Sequence, residues 1–294
     1  MANNTKKSSG NGEMTFFEHI DALRPHLVRG AFVLFSLTVV AFMMKGFIID
    51  KILFGPKSPD FPTNRAMAWL ADRTGLDGLR TAAYDFKLIN TSLMGQLNLH
   101  LQVAFMTALT LTIPYLLWEV WRFIKPALTP RERQSTNKFV FYVSFCFIVG
   151  LCFGYFMISP FSVNFLVNYN ASPDIQNLID VGSYLKIVLN VSLASAAVFQ
   201  LPILVYFLSR MGILTPKFMR RYRKHATIIL VLFAMVITPP DLVSATLVAI
   251  PLYLLYELSI NISARVRRQM DERRAKEEAA FHSAVSTMPT TPEE

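Results

Sequence analysis

Along the chain, apolar positions gather into long uncharged runs. Residues 88–118, 139–173 and 187–209 contain no Asp, Glu, Lys or Arg. Each run exceeds the roughly 20 residues that a membrane-spanning helix needs. No alternation of about ten-residue strands suggests a transmembrane barrel. The pattern predicts an all-α polytopic membrane protein with six transmembrane helices, at about 30–49, 96–121, 139–158, 184–209, 226–238 and 242–260. Pro114 and Pro202 fall inside the second and fourth spans and should bend them, while Ser159 and Pro160 end the third. The last two segments flank Pro239, Pro240 and Asp241 and are short. The thirteen residues of 226–238 rise only about 20 Å against a hydrocarbon core of about 30 Å. Local thinning of the bilayer, or a water-filled recess around Asp241, would reconcile the two lengths.

The flanking segments are of different kinds. Residues 1–15 form a polar tail expected to be disordered. Phe16, Phe17, Ile20, Leu23 and Leu27 then recur at spacings of three and four, the mark of an amphipathic helix at the membrane surface. A sizeable extramembrane loop follows the first span at 50–84, and a second runs through Pro173, Asp174 and Asp180. The stretch 263–294 is charged, then rich in Ser, Thr and Pro, and is expected to be largely disordered. The organisation is thus a single membrane domain, 16–262, between two polar tails.

Composition sharpens this picture. Apolar residues make up 53% of the chain and charged ones 17%, where a soluble domain carries about 25% charge. The net charge of +9 is unevenly placed. Of 29 Lys and Arg, 21 lie in the N-terminal segment, the links between spans two and three and between four and five, and the C-terminal tail. By the positive-inside rule, both termini are expected to be cytoplasmic. The first 29 residues lack an apolar core followed by a cleavage site, so no cleavable signal peptide is expected. Cys146 and Cys152 share one apolar run and imply neither a disulfide framework nor a metal site.

No catalytic motif is present. The five His form no H-E-x-x-H, and neither G-x-S-x-G nor a phosphate-cradling glycine loop occurs. No enzyme activity, cofactor, metal or nucleic-acid partner is expected. Gly150 and Gly154 form a G-x-x-x-G that permits close helix packing, within one bundle or between chains. Polar residues in apolar surroundings carry more information. Gln200 lies nine residues before Ser209, about 14 Å from the basic end of its span, where it would either tie the bundle together or meet a partner. Glu257 is either an intramembrane ionisable group or a side chain reaching the headgroups. Outside the tails, acids on the basic side are scarce: Glu18, Asp21, Glu119 and Glu132. Glu132, between Arg131 and Arg133, suits an internal salt bridge and equally suits an incoming guanidinium.

Four motifs together resemble one family. W-E-V-W-R-F-I-K-P-A-L-T-P-R-E-R at 118–133 is similar to the first cytoplasmic loop of TatC, the multispanning receptor subunit of twin-arginine protein translocases. G-I-L-T-P-K-F-M-R-R-Y-R at 212–223 is similar to that family as well, as is T-P-P-D at 238–241 with I-P-L-Y-L-L-Y-E at 250–257. H-I-D-A-L-R-P-H-L at 19–27 resembles the family's H-L-x-E-L-R-x-R-L signature. The resemblance implies a core subunit that exports folded proteins across the bacterial cytoplasmic membrane at the expense of the proton-motive force. It implies twin-arginine signal peptides, single-span TatA- or TatB-type subunits and the lipid bilayer as partners, within a homo- or hetero-oligomer. By position it makes Glu132 the loop carboxylate that recognises the signal's arginines, with Phe123 and Pro126 beside it, and Arg24 the signature arginine. Pro56 matches the first outer-loop proline, Asp241 the outer-turn aspartate, and Gln200 a membrane-embedded Glu or Gln linked to partner-helix contact.

Two departures stand out. Ala22 occupies the signature glutamate position while Asp21 precedes it, and one residue's shift turns a helical side chain by about 100°. The first outer loop is also longer than usual, with 59–81 unmatched. The reading from another class is a secondary transporter of a small solute, which would show an internal repeat and midplane charges; no repeat is found and the midplane offers only Gln200.

Overall fold

The computed structural model describes residues 16–75, 86–124, 136–174, 177–238 and 242–286. The described residues are almost entirely helical. Helix α1 (Phe16–Met43) leads through a π-helical turn (Phe47–Leu53) and a 3-10 turn (Gly55–Lys57) to α2 (Pro62–Thr74). A two-residue strand β1 (Leu88–Ile89) precedes α3 (Gly95–Ile124). Helix α4 (Thr136–Phe153) passes through a π-helical turn (Gly154–Ile158) into α5 (Ser159–Asn168), and β2 (Ile179–Asp180) follows. The remaining helices are α6 (Val181–Val198), α7 (Leu201–Arg210), α8 (Pro216–Arg221), α9 (Arg223–Ile237) and α10 (Leu242–Ser286).

Among the described residues, five helical stretches are long and apolar enough to cross a membrane: Leu23–Met43, Gly95–Phe123, Val140–Asn168, Val181–Arg210 and Ala245–Ser283. Helix α9 is apolar as well but shorter, its 15 residues rising only about 22 Å. Large apolar side chains face outward along these stretches, among them Phe32, Phe35, Phe141 and Val236. In a bilayer such a surface is solvated by acyl chains rather than exposed to water.

The helices alternate in direction, so among the described residues Arg24, Arg29 and Arg122, the basic helix α8 and the charged half of α10 share one end of the bundle, called here the basic end. At that end α1 packs along α3, and α10 packs along α7 and over α8. At the opposite, loop end, Ala41, Ile48, Leu53, Val103, Tyr184 and Val188 form a core cluster. There the Tyr184 hydroxyl donates to the Leu53 carbonyl at 3.0 Å, and β1 pairs with β2 in parallel, Leu88 opposite Ile179. A second cluster, with Ile158, Leu230, Ala234, Val248 and Leu252, holds α9 and α10 to the bundle.

The glycine pair of α4 serves this bundle. A Cβ on Gly154 would lie 2.7 Å from the Ser192 Cα, and one on Gly150 would lie 2.5 Å from the Phe199 Cβ. Only hydrogen lets α4 and the π-helical turn approach α6 that closely.

Several boundaries differ from the reading of the sequence. Helix α1 runs unbroken from Phe16 through Pro25, so the surface helix and the first span are one element. Pro25, the tenth residue of that helix, removes one amide hydrogen bond and should bend the helix without ending it. The third span does not end at Ser159 and Pro160. The π-helical turn widens the backbone there, Ser159 Oγ donates to the Gly154 carbonyl at 3.0 Å, and Pro160 falls in the first turn of α5, where its missing N–H costs nothing. Span four is broken at Phe199–Gln200, immediately before Pro202. The unmatched outer loop contains α2, docked through Phe61, which stacks on Phe156 with ring centroids 5.4 Å apart, and through a bond from Thr63 to the Phe156 carbonyl.

The last helix continues to Ser286, well past the expected start of the disordered tail at 263. Its charged half is rich in Ala, Glu, Lys and Arg, all strong helix formers. Pairs at i,i+4, Arg267 with Asp271 and Arg268 with Glu272, stabilise it further.

Candidate functional site

At the basic end, α1 and α3 cross closely enough for Gly30 to meet Leu116, since a Cβ there would fall 2.6 Å from the Leu116 Cδ2. Just beyond this crossing lies Glu119, with only 2% of its surface exposed. A carboxylate so placed needs partners on both oxygens. Tyr115, one turn earlier on α3, donates its hydroxyl to Oε1 at 2.8 Å. His26 of α1 bonds Oε2 through Nδ1. One turn later on α3, Phe123 lies against the His26 ring edge to face, with centroids 5.9 Å apart. Tyr115, Glu119 and Phe123 recur every four residues, so a single stripe of α3 presents all three to α1.

Cations surround this buried cluster. Arg24 and Arg29 are exposed on α1, and the Arg122 guanidinium lies over the Trp118 ring at 5.6 Å. The cluster can hold α1 in a fixed register on α3 while leaving the Phe123 ring at its open edge. Glu119 counted among the scarce acids in the sequence, but its partners His26 and Tyr115 carry no motif. The four-residue Tyr115–Glu119 spacing inside an apolar run is the one signal that could have drawn attention to them.

The other expected site residues fall in three places. Glu132, Pro126 and Asp241 lie outside the described residues, and of Asp21 only its position in α1 is described. Pro56 is buried in the 3-10 turn at the loop end, where its carbonyl accepts from Asn64 Nδ2 at 3.1 Å; the same amide nitrogen bonds the Ser58 carbonyl at 2.8 Å. Asn64 thereby fixes the outer loop's path. Glu257 forms a two-point ion pair with Arg223, at 2.9 and 3.0 Å, at the basic end of α10. That pair ties the start of α9 to α10.

Gln200 lies in the break between α6 and α7. Its Nε2 donates to the Val143 carbonyl of α4 at 3.4 Å. Its Oε1 is buried without a hydrogen-bond partner among the described residues, as is the Ser195 hydroxyl five residues earlier. One end of this amide therefore ties the break to α4, and the other has no hydrogen-bond partner among the described residues. Among the described residues no group of three or more His, Cys, Asp or Glu is placed to hold a metal ion.

Comparison with known proteins adds the following. The family model described as Sec-independent protein translocase protein (TatC) matches residues 18–251. The chain is 35% identical over 259 residues to the TatC protein of Blattabacterium sp. subsp. Periplaneta americana, covering 87% of this chain and 97% of that protein. It is 30% identical over 257 residues to TatCy of Bacillus subtilis, covering 87% of this chain and 91% of that protein. A crystal structure of the twin arginine translocase receptor TatC in DDM superposes with a TM-score of 0.65 at 25% identity, over 83% of this chain and 99% of that one.

Proposed function

Because the chain belongs to the TatC family of Sec-independent protein translocase proteins and is a core membrane subunit of the translocase, we propose that its basic end is the receptor for twin-arginine signal peptides. The single observation that carries this reading is the convergence of the signature helix α1, with Arg24, and the end of α3, with Phe123, on the buried His26–Glu119 bond. The loop that follows α3 carries Glu132 and Pro126, and Asp21 lies one turn before Arg24 on α1. A peptide bearing two guanidinium groups would meet carboxylates at Glu132 and Asp21, with Phe123 and Pro126 as apolar neighbours.

In this reading the basic end and both termini face the cytoplasm of a bacterium, consistent with the 21 of 29 Lys and Arg that the sequence carries in its two terminal segments and the links after spans two and four. The apolar segments number six, with α9 crossing a locally thinned bilayer and Asp241 at its outer turn. Single-span TatA- or TatB-type subunits dock beside Gln200, whose free Oε1 would accept a hydrogen bond from a partner helix. Folded precursors then cross at the expense of the proton-motive force, and no covalent step is needed. Pro56 holds the outer loop, and Glu257 the hairpin at the basic end. A secondary transporter of a small solute has no support, since the matched family and relatives are protein translocases.

Crosslinking of a twin-arginine signal peptide tests the reading. Removing one partner of a charged pair in a partly dry groove costs about 2 to 5 kcal/mol. Glu132→Ala and Glu132→Gln should therefore both lose most of the crosslink while keeping wild-type thermal stability. Unchanged crosslinking in both variants would overturn the assignment.

A further inference from the structure

A second cluster of charge lies away from the α1–α3 crossing. Helix α8 and the facing turns of α10 line an open cleft of about 700 Å³. Lys217 and Arg220 line it from α8, and Arg267, Arg268, Asp271 and Glu272 line it from α10. Arg267 pairs with Asp271 at 3.4 Å and Arg268 with Glu272 at 2.8 Å, which settles the charge of the α10 wall within that helix. Lys217 and Arg220 are exposed, and among the described residues neither has an ion-pair partner. The cavity therefore presents two cationic groups, one turn apart, that nothing else in the described chain neutralises.

Its depth is fixed by neighbouring contacts. Ser209 donates to Ser263 at 2.7 Å, one residue before span four closes at Arg210, and Ala264 already lines the cavity. On the same segment Met211, Ile213 and Phe218 are 60%, 63% and 51% exposed. Apolar side chains left uncovered beside cations at the end of a span belong at the boundary between acyl chains and headgroups. Met219, by contrast, is buried against Val205 and Ile260, so α8 is pinned in this position rather than free to leave it.

From this geometry we infer that the α8–α10 cleft binds the headgroup of an anionic phospholipid from the leaflet at the basic end. Lys217 and Arg220 hold the phosphodiester: the guanidinium forks onto two phosphate oxygens and the ammonium supplies a point charge. The acyl chains run past Ile213 and Phe218 into the bilayer. The inference rests on the membrane fold and on no assignment of the signal-peptide site.

The test uses the full chain purified in mild detergent. Retention of phosphatidylglycerol is measured by native mass spectrometry, with phosphatidylcholine as the neutral reference. A double variant, Lys217→Gln with Arg220→Gln, is compared with Arg265→Gln plus Lys276→Gln, which removes the same charge from exposed positions outside the cleft. Each cation near an anionic lipid surface contributes enough for several-fold in affinity. The cleft variant should bind phosphatidylglycerol at least about tenfold more weakly, and the control variant as the wild type. Lys217→Arg with Arg220→Lys, which keeps the charge, should retain binding. Equal loss in the cleft and control variants, or no loss in either, overturns the proposal. So does displacement of the lipid by millimolar inorganic phosphate, which would mark a small-anion site, or by short poly-glutamate, which would mark a site for an acidic protein segment.

Discussion

His26 and Glu119, 93 residues apart in the chain, share a hydrogen bond that fastens the signature helix α1 to the end of α3. The carboxylate is almost wholly buried and the imidazole sits at the rim of the same cluster, so the bond sets the spacing between the two elements that flank the proposed receptor groove. A buried pair of this kind matters most when one side is removed, because the other is left with an unmet polar group.

Removal of either partner should therefore destabilise the chain, and removal of both should cost less than the sum. Glu119→Ala leaves His26 and the Tyr115 hydroxyl without their acceptor and should lower stability in detergent by about 1 to 3 kcal/mol. Thermal unfolding of His26→Ala, Glu119→Ala and the double variant checks it. A coupling energy below about 0.5 kcal/mol would mean that the two residues act independently.

The carboxylate beside the signature arginine can be located by substitution. Ala22 stands where the family signature has glutamate, and Asp21 is the nearest acid on α1. Asp21→Asn should reduce signal-peptide crosslinking, while Ala22→Glu should leave it intact or raise it. If Asp21→Asn is silent and Glu18→Gln abolishes export, Glu18 is the acid in use.

Gln200→Leu removes the unpartnered Oε1 together with the bond to Val143. Interhelical hydrogen bonds in membranes contribute about 0.6 to 2 kcal/mol. Twin-arginine peptide binding should persist, while recruitment of the single-span subunit and export should fall. Photocrosslinking from position 200 under transporting conditions decides the matter, and adducts confined to this chain would make Gln200 a bundle residue only.

Gly154→Ala should be costly and Gly46→Ala nearly neutral. The new methyl at 154 would press on the α6 backbone at Ser192, whereas at 46 its nearest neighbour is the Asp50 side chain at 3.7 Å. Overpacking typically costs about 1 to 3 kcal/mol and an uncrowded substitution within about 0.5. Unfolding midpoints of the two variants in the same detergent give the comparison.

The ion pair at the other junction is open to exchange. Glu257→Arg should loosen the α9–α10 contact by up to about 1 kcal/mol, given that both side chains are partly exposed. Adding Arg223→Glu should restore most of it. Protease sensitivity of the segment around α8 reports the loosening, and a double variant no better than the single would show that the pair carries no net stability.

The sequence by itself determined that the chain is a helical membrane protein, where most of its spans lie and which end is basic, because each follows from composition over about 20 consecutive residues. The motif at 118–133 and the signature at 19–27 also pointed to the translocase family without any structure. Features set by neighbours distant in the chain were not legible. Nothing local distinguishes a Pro160 that ends a helix from one that follows a π-helical turn and opens the next helix. Nor does residue type say that Glu257 pairs with Arg223 of the neighbouring helix. The fate of Glu119 was hidden for the same reason. A carboxylate in an apolar run is affordable only if partners reach it, and the partner that does so, His26, arrives from another helix. Tertiary structure alone decided these cases, because burial of a polar group is a property of everything packed around it rather than of its own segment.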